Sequence, residues 1–265
     1  MTTNLPPDLA LALALADRAD RITLDRAGAA DLRVDRKPDR TPVTDADLAV
    51  EDAIRTALRA QRPADAVLGE ERGGTSTDAD RCWLLDPIDG TKNFLRGVPV
   101  WATLIALVKQ GTPVVGVISA PALRRRWWAA TGAGAHTRDA RGVSRTITVS
   151  AVRELGDAYV STTHLGSWAK HRSRESYLSL VDATWENRAF GDFWQHCLVA
   201  EGAIDLAAEP VVNPWDVAAV QVLVEQAGGR FTDLDGIPRY DGGTALSSNG
   251  LLHDAALRCL RHPIC

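Results

Sequence analysis

The chain has 265 residues, 45% of them hydrophobic and 24% charged, which is enough apolar material for a sizeable core and too much for a disordered chain. Its formal net charge of −4 offers no basic field for nucleic acid. The four cysteines, Cys82, Cys197, Cys259 and Cys265, form no CxxC pair and read as reduced thiols of a cytoplasmic protein.

Near the start, the run LALALA (11–16) is far too short to cross a bilayer, and no basic segment precedes it as in a signal peptide. Residues 7–27 read instead as a helix, with Leu9, Leu13, Ala16 and Ile22 near one stripe and Gly28 as its stop. A polar loop leads to a second helix with Thr44 as N-cap and Asp45 and Asp47 at its positive end. AVLGEE (66–71) and RCWLLDPIDG (81–90) read as strands that stop at acidic pairs. ATLIALV, PVVGVIS and RRWWAAT follow as consecutive strands, the last a core strand with a solvated basic flank. AYVSTT (158–163) predicts a strand before one helix ending near Asp182. GDFWQHCLVAEG (191–202) reads as a helix, IDLAAE (204–209) as a strand, and NPWDVAAVQVLVEQAGG (213–229) as a helix capped by Asn213 with Pro214 at its first position. A strand at 244–248 and a helix at 250–261 close the chain. His136, His164, His171, His253 and His262 show no metal-ligand spacing and are expected at the surface; His196 lies in a helix of interest but is a weak candidate. Strands and helices mixed in this way predict layered α/β or α+β packing.

Five acidic residues stand where elements end: Asp47, Glu70, Asp86, Asp89 and Asp216. Any one alone reads as a helix cap or a solvated loop charge. Together they point to one place, since two end strands and two open helices whose positive ends could face the same point. Hard oxygen ligands without histidine or cysteine suit Mg²⁺ rather than zinc. Magnesium ions beside a helix start make a receptor for phosphate. In the turn IDGT, Gly90 lets the backbone approach a ligand closely and Thr91 offers a hydroxyl and an N–H. A haloacid-dehalogenase-type DxDxT reading fails, because D-P-I-D-G-T is one residue longer and both carboxylates cannot keep those roles.

In VTDADLAVE (43–51), GEE (69–71), DPIDGTKNF (86–94) and WDVAAVQVLVEQAGG (215–229) the chain resembles the inositol monophosphatase family of Mg²⁺-dependent, lithium-sensitive phosphatases. The motifs run in the family's order and span nearly the whole chain. The resemblance implies an α+β fold, a layered αβαβα sandwich, in a single domain over 1–265 with a metal-binding half to about 150 and a specificity half beyond. It implies metal binding by Glu70, Asp86, Asp89, Asp216 and the Ile88 carbonyl, with up to three Mg²⁺ ions, replaceable by Mn²⁺ and inhibited by Li⁺. It implies that Asp47, Glu70 and Thr91 hold the attacking water, and that Asp89, Gly90, Thr91 and Asp216 contact substrate. It further implies a cytoplasmic homodimer acting on a small phosphate monoester, with neither nucleic acid nor membrane as partner. Since phosphoryl transfer is mostly positioning and electrostatics, water activated at the ions would attack in line without a covalent enzyme intermediate.

The leaving group is read from RAFGDFWQHCLVAEGAIDLAAEP (188–210), which resembles the family's histidinol-phosphatase branch in its Gly-Asp-aromatic run. TKNFLRGVPVWATLIAL (91–107) points the same way, with Lys92 where many inositol enzymes carry threonine. Asp192 and Glu209, the latter matching a family glutamate that contacts the leaving group, would suit a cationic alcohol such as histidinol; helix capping is the plainer role for Asp192. Inositol-1-phosphatase is the alternative, ahead of nucleotide 3′-phosphatase and fructose-1,6-bisphosphatase. A non-enzymatic alternative, contact with transcription machinery, sits poorly with an acidic chain that keeps all five carboxylates.

Overall fold

The computed structural model describes residues 5–38, 40–74 and 79–261, so His262 and Cys265 lie outside the described residues. Helix α1 (Pro7–Arg26) opens on Pro7, whose missing N–H is no loss at a first helical position. It buries Leu9, Ala12, Ala16, Ala19 and Thr23 at spacings of three and four, with Leu13 and Ile22 on the flank of that stripe. A hairpin of β1 (Val34–Arg36) and β2 (Pro42–Thr44) delivers Thr44 as the N-cap of α2 (Asp45–Gln61). There follow β3 (Ala66–Gly69), β4 (Gly73–Gly74), β5 (Arg81–Asp89), the short α3 (Thr91–Arg96), β6 (Ala102–Lys109), β7 (Thr112–Ala120), β8 (Arg125–Ala130), β9 (Gly134–Arg138) and β10 (Ser144–Thr146). These strands form an eight-stranded sheet in the order β10-β9-β8-β7-β6-β5-β3-β4, antiparallel except where β3 runs beside β5.

Alternation along the strands sorts this sheet's two faces. Trp83, Leu85, Ile105, Leu107, Val115 and Val117 pack on α1 and α2. Their neighbours Cys82, Leu84, Leu104, Ala106 and Ile118 pack on the opposite side.

The rest of the chain supplies β11 (Tyr159–Thr162), α4 (Leu165–His171), α5 (Arg174–Asp182), β12 (Glu186–Arg188), α6 (Asp192–Ala200), β13 (Leu206–Glu209), α7 (Pro214–Gln226), β14 (Arg230–Thr232), β15 (Ala245–Ser248) and α8 (His253–Arg261). The second sheet runs β12-β11-β13-β15-β14. Helices α6 and α7 lie between the two sheets, and α4, α5 and α8 cover the outer face of the second. Five layers result, α1/α2, sheet, α6/α7, sheet, α4/α5/α8, which is the expected αβαβα sandwich. The near-absence of a polar side on α7 follows from this position, for a helix covered by two sheets buries residues all round.

Several local expectations need correction. The single helix expected before Asp182 is two, because Ser173 caps a fresh start by accepting the Ser176 N–H at 3.1 Å. The turn after Gly90 winds into α3. The basic flank of β8 is not all solvated: Arg126 is buried and ion-paired at 2.7 Å to both Asp17 and Asp20 of α1. His253 is wholly buried, its ring between the hydroxyls of Thr232 and Ser248. Cys82, Cys197 and Cys259 are free thiols. Among the described residues no helix is long and apolar enough to cross a membrane.

Candidate active site

Side chains three apart on a regular strand point to opposite faces. Asp86 and Asp89 escape this because β5 bulges between them: Asp86 pairs with Leu104 and Asp89 with Ala102, three residues against two. The extra residue rephases the strand and turns both carboxylates to one side. Pro87 sits in the bulge, where no ladder N–H is needed, and the Thr103 hydroxyl donates to its carbonyl at 2.8 Å. Gly90, at φ +82, then turns the chain so tightly that a Cβ there would lie 2.9 Å from the Val100 carbonyl.

Glu70, Asp86, Ile88, Asp89, Gly90, Thr91, Asp192 and Asp216 line one cavity of about 270 Å³. Asp47 is behind it, fully buried. Two of the carboxylates close capping boxes at the starts of their own helices. Asp47 Oδ2 accepts from the Thr44 N–H and hydroxyl at 2.8 and 2.6 Å, and Asp216 Oδ2 accepts from the Asn213 N–H at 2.7 Å. Asp89 Oδ2 accepts the Phe193 N–H at 2.7 Å, so the strand of one half caps α6 of the other. Thr91 donates its hydroxyl to the Ile88 carbonyl at 3.0 Å, leaving that oxygen a second lone pair.

Burial and mutual repulsion leave these acids reluctant to ionise together. Burial, then Glu70, Asp89, Asp216 and Asp47, hold Asp86 well above the carboxylate range. Burial, then Asp192 and Asp216, do the same to Asp89. Burial raises Asp216 to about 7 and Asp47 to about 6. Lys37, which sequence reasoning passed over in its polar loop, places Nζ 2.7 Å from Glu70 and 2.8 Å from Glu71. Burial opposes its charge, but those two hydrogen bonds carry its pKa above the lysine range.

A second cavity, of about 500 Å³, shares Asp89, Lys92, Asp192 and Asp216 with the first and adds Glu209 and His196. Asp192 does not cap α6. The N-cap is Gly191, without a side-chain cap, while Asp192 itself holds φ +47 and turns its Oδ2 to Asn93 Nδ2 at 3.3 Å. Burial and then Glu209 raise Asp192 to about 6. His196 is more than a weak candidate, since its Nε2 lies 2.8 Å from Glu209 Oε1. Its position four after Asp192, on the same helical face, was the available signal.

Among the described residues no three His, Cys, Asp or Glu side chains converge closely enough to clasp an ion as they stand. The donor set nevertheless fits a hard cation. It is all oxygen, and Asp86 Oδ1 and Asp47 Oδ1 are buried with no hydrogen-bond partner. A cation at the cavity would satisfy such atoms and relieve the crowding of charge.

A model of the inositol monophosphatase family matches residues 5–261. Over 250 residues the chain is 57% identical to a histidinol-phosphatase of Mycobacterium tuberculosis, covering 94% of this chain and 96% of that one. It is 50% identical over 254 residues to a histidinol-phosphatase of Streptomyces coelicolor, covering 94% and 95%. Among solved structures, the extragenic suppressor protein suhB of Bartonella henselae superposes with a TM-score of 0.86 at 29% identity, over 98% of this chain and all of that one. Family members are generally metal-dependent. The chain belongs to the inositol monophosphatase family, a family of phosphoric monoester hydrolases.

Proposed function

We propose that this chain is a Mg²⁺-dependent phosphomonoesterase that hydrolyses L-histidinol phosphate to L-histidinol and phosphate, a step of histidine biosynthesis. The observation that carries this reading is the pair of carboxylates, Asp192 and Glu209, lining a cavity that adjoins the carboxylates of the phosphate side. A neutral polyol gains only hydrogen bonds from two negative charges there, whereas histidinol brings an ammonium and an imidazole. The identity with relatives named histidinol-phosphatase supports the same choice.

Glu70, Asp86, Asp89, Asp216 and the Ile88 carbonyl would hold the ions. Bound Mg²⁺ would supply positive charge that acidifies water and neutralises phosphate oxygens. Asp47, Glu70 and Thr91 would orient the attacking water in line with the ester oxygen. Its oxygen bonds to phosphorus, the bond to the alcohol oxygen breaks, and the leaving alkoxide takes up a proton. Asp192 and Glu209 would hold the amino alcohol, so that its departure is the departure of a cation from two carboxylates. By the same resemblance the working unit is a cytoplasmic homodimer, which sedimentation at twice 28.5 kDa would register.

The test is phosphate release from histidinol phosphate, inositol-1-phosphate, fructose-1,6-bisphosphate and adenosine 3′,5′-bisphosphate, with Mg²⁺ and with chelator. The expected result is the highest kcat/KM for histidinol phosphate, lost on chelation. A higher value for inositol-1-phosphate would replace this reading with the alternative.

A further inference from the structure

Glu209 is held from behind by a polar frame that the mechanism above does not use. Its Oε1 receives two hydrogen bonds, from Gln195 Nε2 and His196 Nε2, each at 2.8 Å. An ionised carboxylate only accepts, so the imidazole carries its hydrogen on Nε2. Each donor is anchored in turn. The Ser161 hydroxyl donates to Gln195 Oε1 at 2.7 Å, and His196 Nδ1 meets Ser247 Oγ at 2.8 Å. Ser161 and Ser247 belong to β11 and β15, the two strands that flank β13, and both pair with Ala207, two residues before Glu209. All four framing side chains are buried to within 1% of full burial.

Polar groups in a packed layer between helix and sheet are expensive unless each is satisfied, and an apolar layer would pack as well. This frame is satisfied throughout, and it converges on Glu209, the carboxylate at the end of β13 that lines the second cavity. The same helix brings Asp192 to that cavity one turn before His196. Two like charges facing one space repel, and a glutamate side chain left free would swing away from Asp192.

We propose that His196, with Gln195, is a positioning residue that keeps Glu209 aimed at the cavity opposite Asp192 and thereby sets the preference for a cationic leaving group. The inference rests on the histidinol phosphate reading and deepens it. A cation is drawn by the paired charges, whereas a neutral polyol gains only hydrogen bonds that either carboxylate can accept. Loss of the frame therefore weakens the first more than the second.

The experiment compares His196→Phe, which removes the donor, with His196→Gln, whose Nε2 can replace it. kcat and KM are measured for histidinol phosphate and for inositol-1-phosphate, with melting temperature alongside. In His196→Phe the ratio of kcat/KM values, histidinol phosphate over inositol-1-phosphate, falls about tenfold or more, and the loss lies in KM rather than kcat. In His196→Gln the ratio stays within about threefold of wild type. If the phenylalanine variant does not fold, Ser247→Ala, which frees the far side of the ring at little change in volume, lowers the same ratio. A ratio unchanged in whichever of these variants folds, or equal losses for both substrates, overturns the role of His196 while leaving the substrate reading intact. A wild-type enzyme with no preference for histidinol phosphate overturns the substrate reading and this inference with it.

Discussion

Asp86 Oδ1 is buried without a hydrogen-bond partner, among four other carboxylates, and Asp86 is held well above the usual carboxylate range by burial and then by those charges. An amide in its place removes charge from the crowd and a ligand from the site. Asp86→Asn should raise the melting temperature of the chelated protein by about 2–4 °C. It should also abolish the further rise that Mg²⁺ brings, and lower kcat/KM at least about a hundredfold. A variant that keeps the Mg²⁺ response would remove Asp86 from the metal site. Asp192 makes a different test possible, because it holds a left-handed φ that asparagine also tolerates and caps nothing. Asp192→Asn should thus weaken kcat/KM for histidinol phosphate by about ten- to a hundredfold, the worth of a charge-assisted contact, with little change in melting temperature or in inositol-1-phosphate turnover. Equal losses on both substrates would deny it the selector's role. That Asp192 and Glu209 would share a cavity followed from resemblance. That His196 braces one of them did not, since a histidine on an apolar helix gives no sign of its partner.

At the scale of elements, α8 is fastened to the second sheet through its first residue. The Thr232 hydroxyl donates to the Asp233 carbonyl, so it accepts from His253 Nε2–H at 2.9 Å, and the ring's Nδ1 accepts from Ser248 at 2.8 Å. This neutral ring leaves no room for a second proton, and burial, then Arg230, lowers the His253 pKa to about 4. Because the folded pKa lies below the unfolded one, the unfolded chain takes up a proton first. The stabilisation is complete above about pH 6.5 and is lost as pH falls toward 4, by roughly 3 kcal/mol. His253→Gln should remove that part of the acid sensitivity, seen as a shallower fall in urea midpoint between pH 6.5 and 4 than in wild type. Parallel curves would show that the ring is not what titrates. The expected surface histidine became a buried fastener because β14 and β15 meet only in the fold.

At the scale of the whole molecule, the two halves join where like charges meet. Asp89 of the first half caps α6 of the second, and Asp216 of α7 faces Glu70 and Asp86 across the cleft. Raised carboxylate pKa values mean that the ion-free fold holds protons the unfolded chain has already lost. Its stability from these groups is present below about pH 4 and falls as pH rises through about 7. Mg²⁺ would displace those protons, so the stabilisation gained on adding it should grow across that window, reaching about 2–3 kcal/mol at a hundredfold excess over its dissociation constant. Calorimetry at several pH values, with and without Mg²⁺, measures the difference directly. An increment that stays flat with pH would mean that the ions bind elsewhere.

The sequence by itself determined the elements and the inventory of acids. Period-two alternation, a proline at a helix start, a threonine or asparagine before an acidic first turn and glycines at helix ends are local signals, and they placed α1, α2, α6, α7 and most strands of the first sheet. The motifs around Asp47, Glu70, Asp86 and Asp216 were legible for the same reason, being contiguous in the chain. Only the tertiary structure decided what depends on register and on contacts between distant residues: the bulge that turns Asp86 and Asp89 the same way, Lys37 set against Glu70, Arg126 buried against Asp17 and Asp20, and the frame behind Glu209. These side chains sit in no periodic pattern of their own. Their roles come from partners up to more than a hundred residues away, which packing alone brings within hydrogen-bond range.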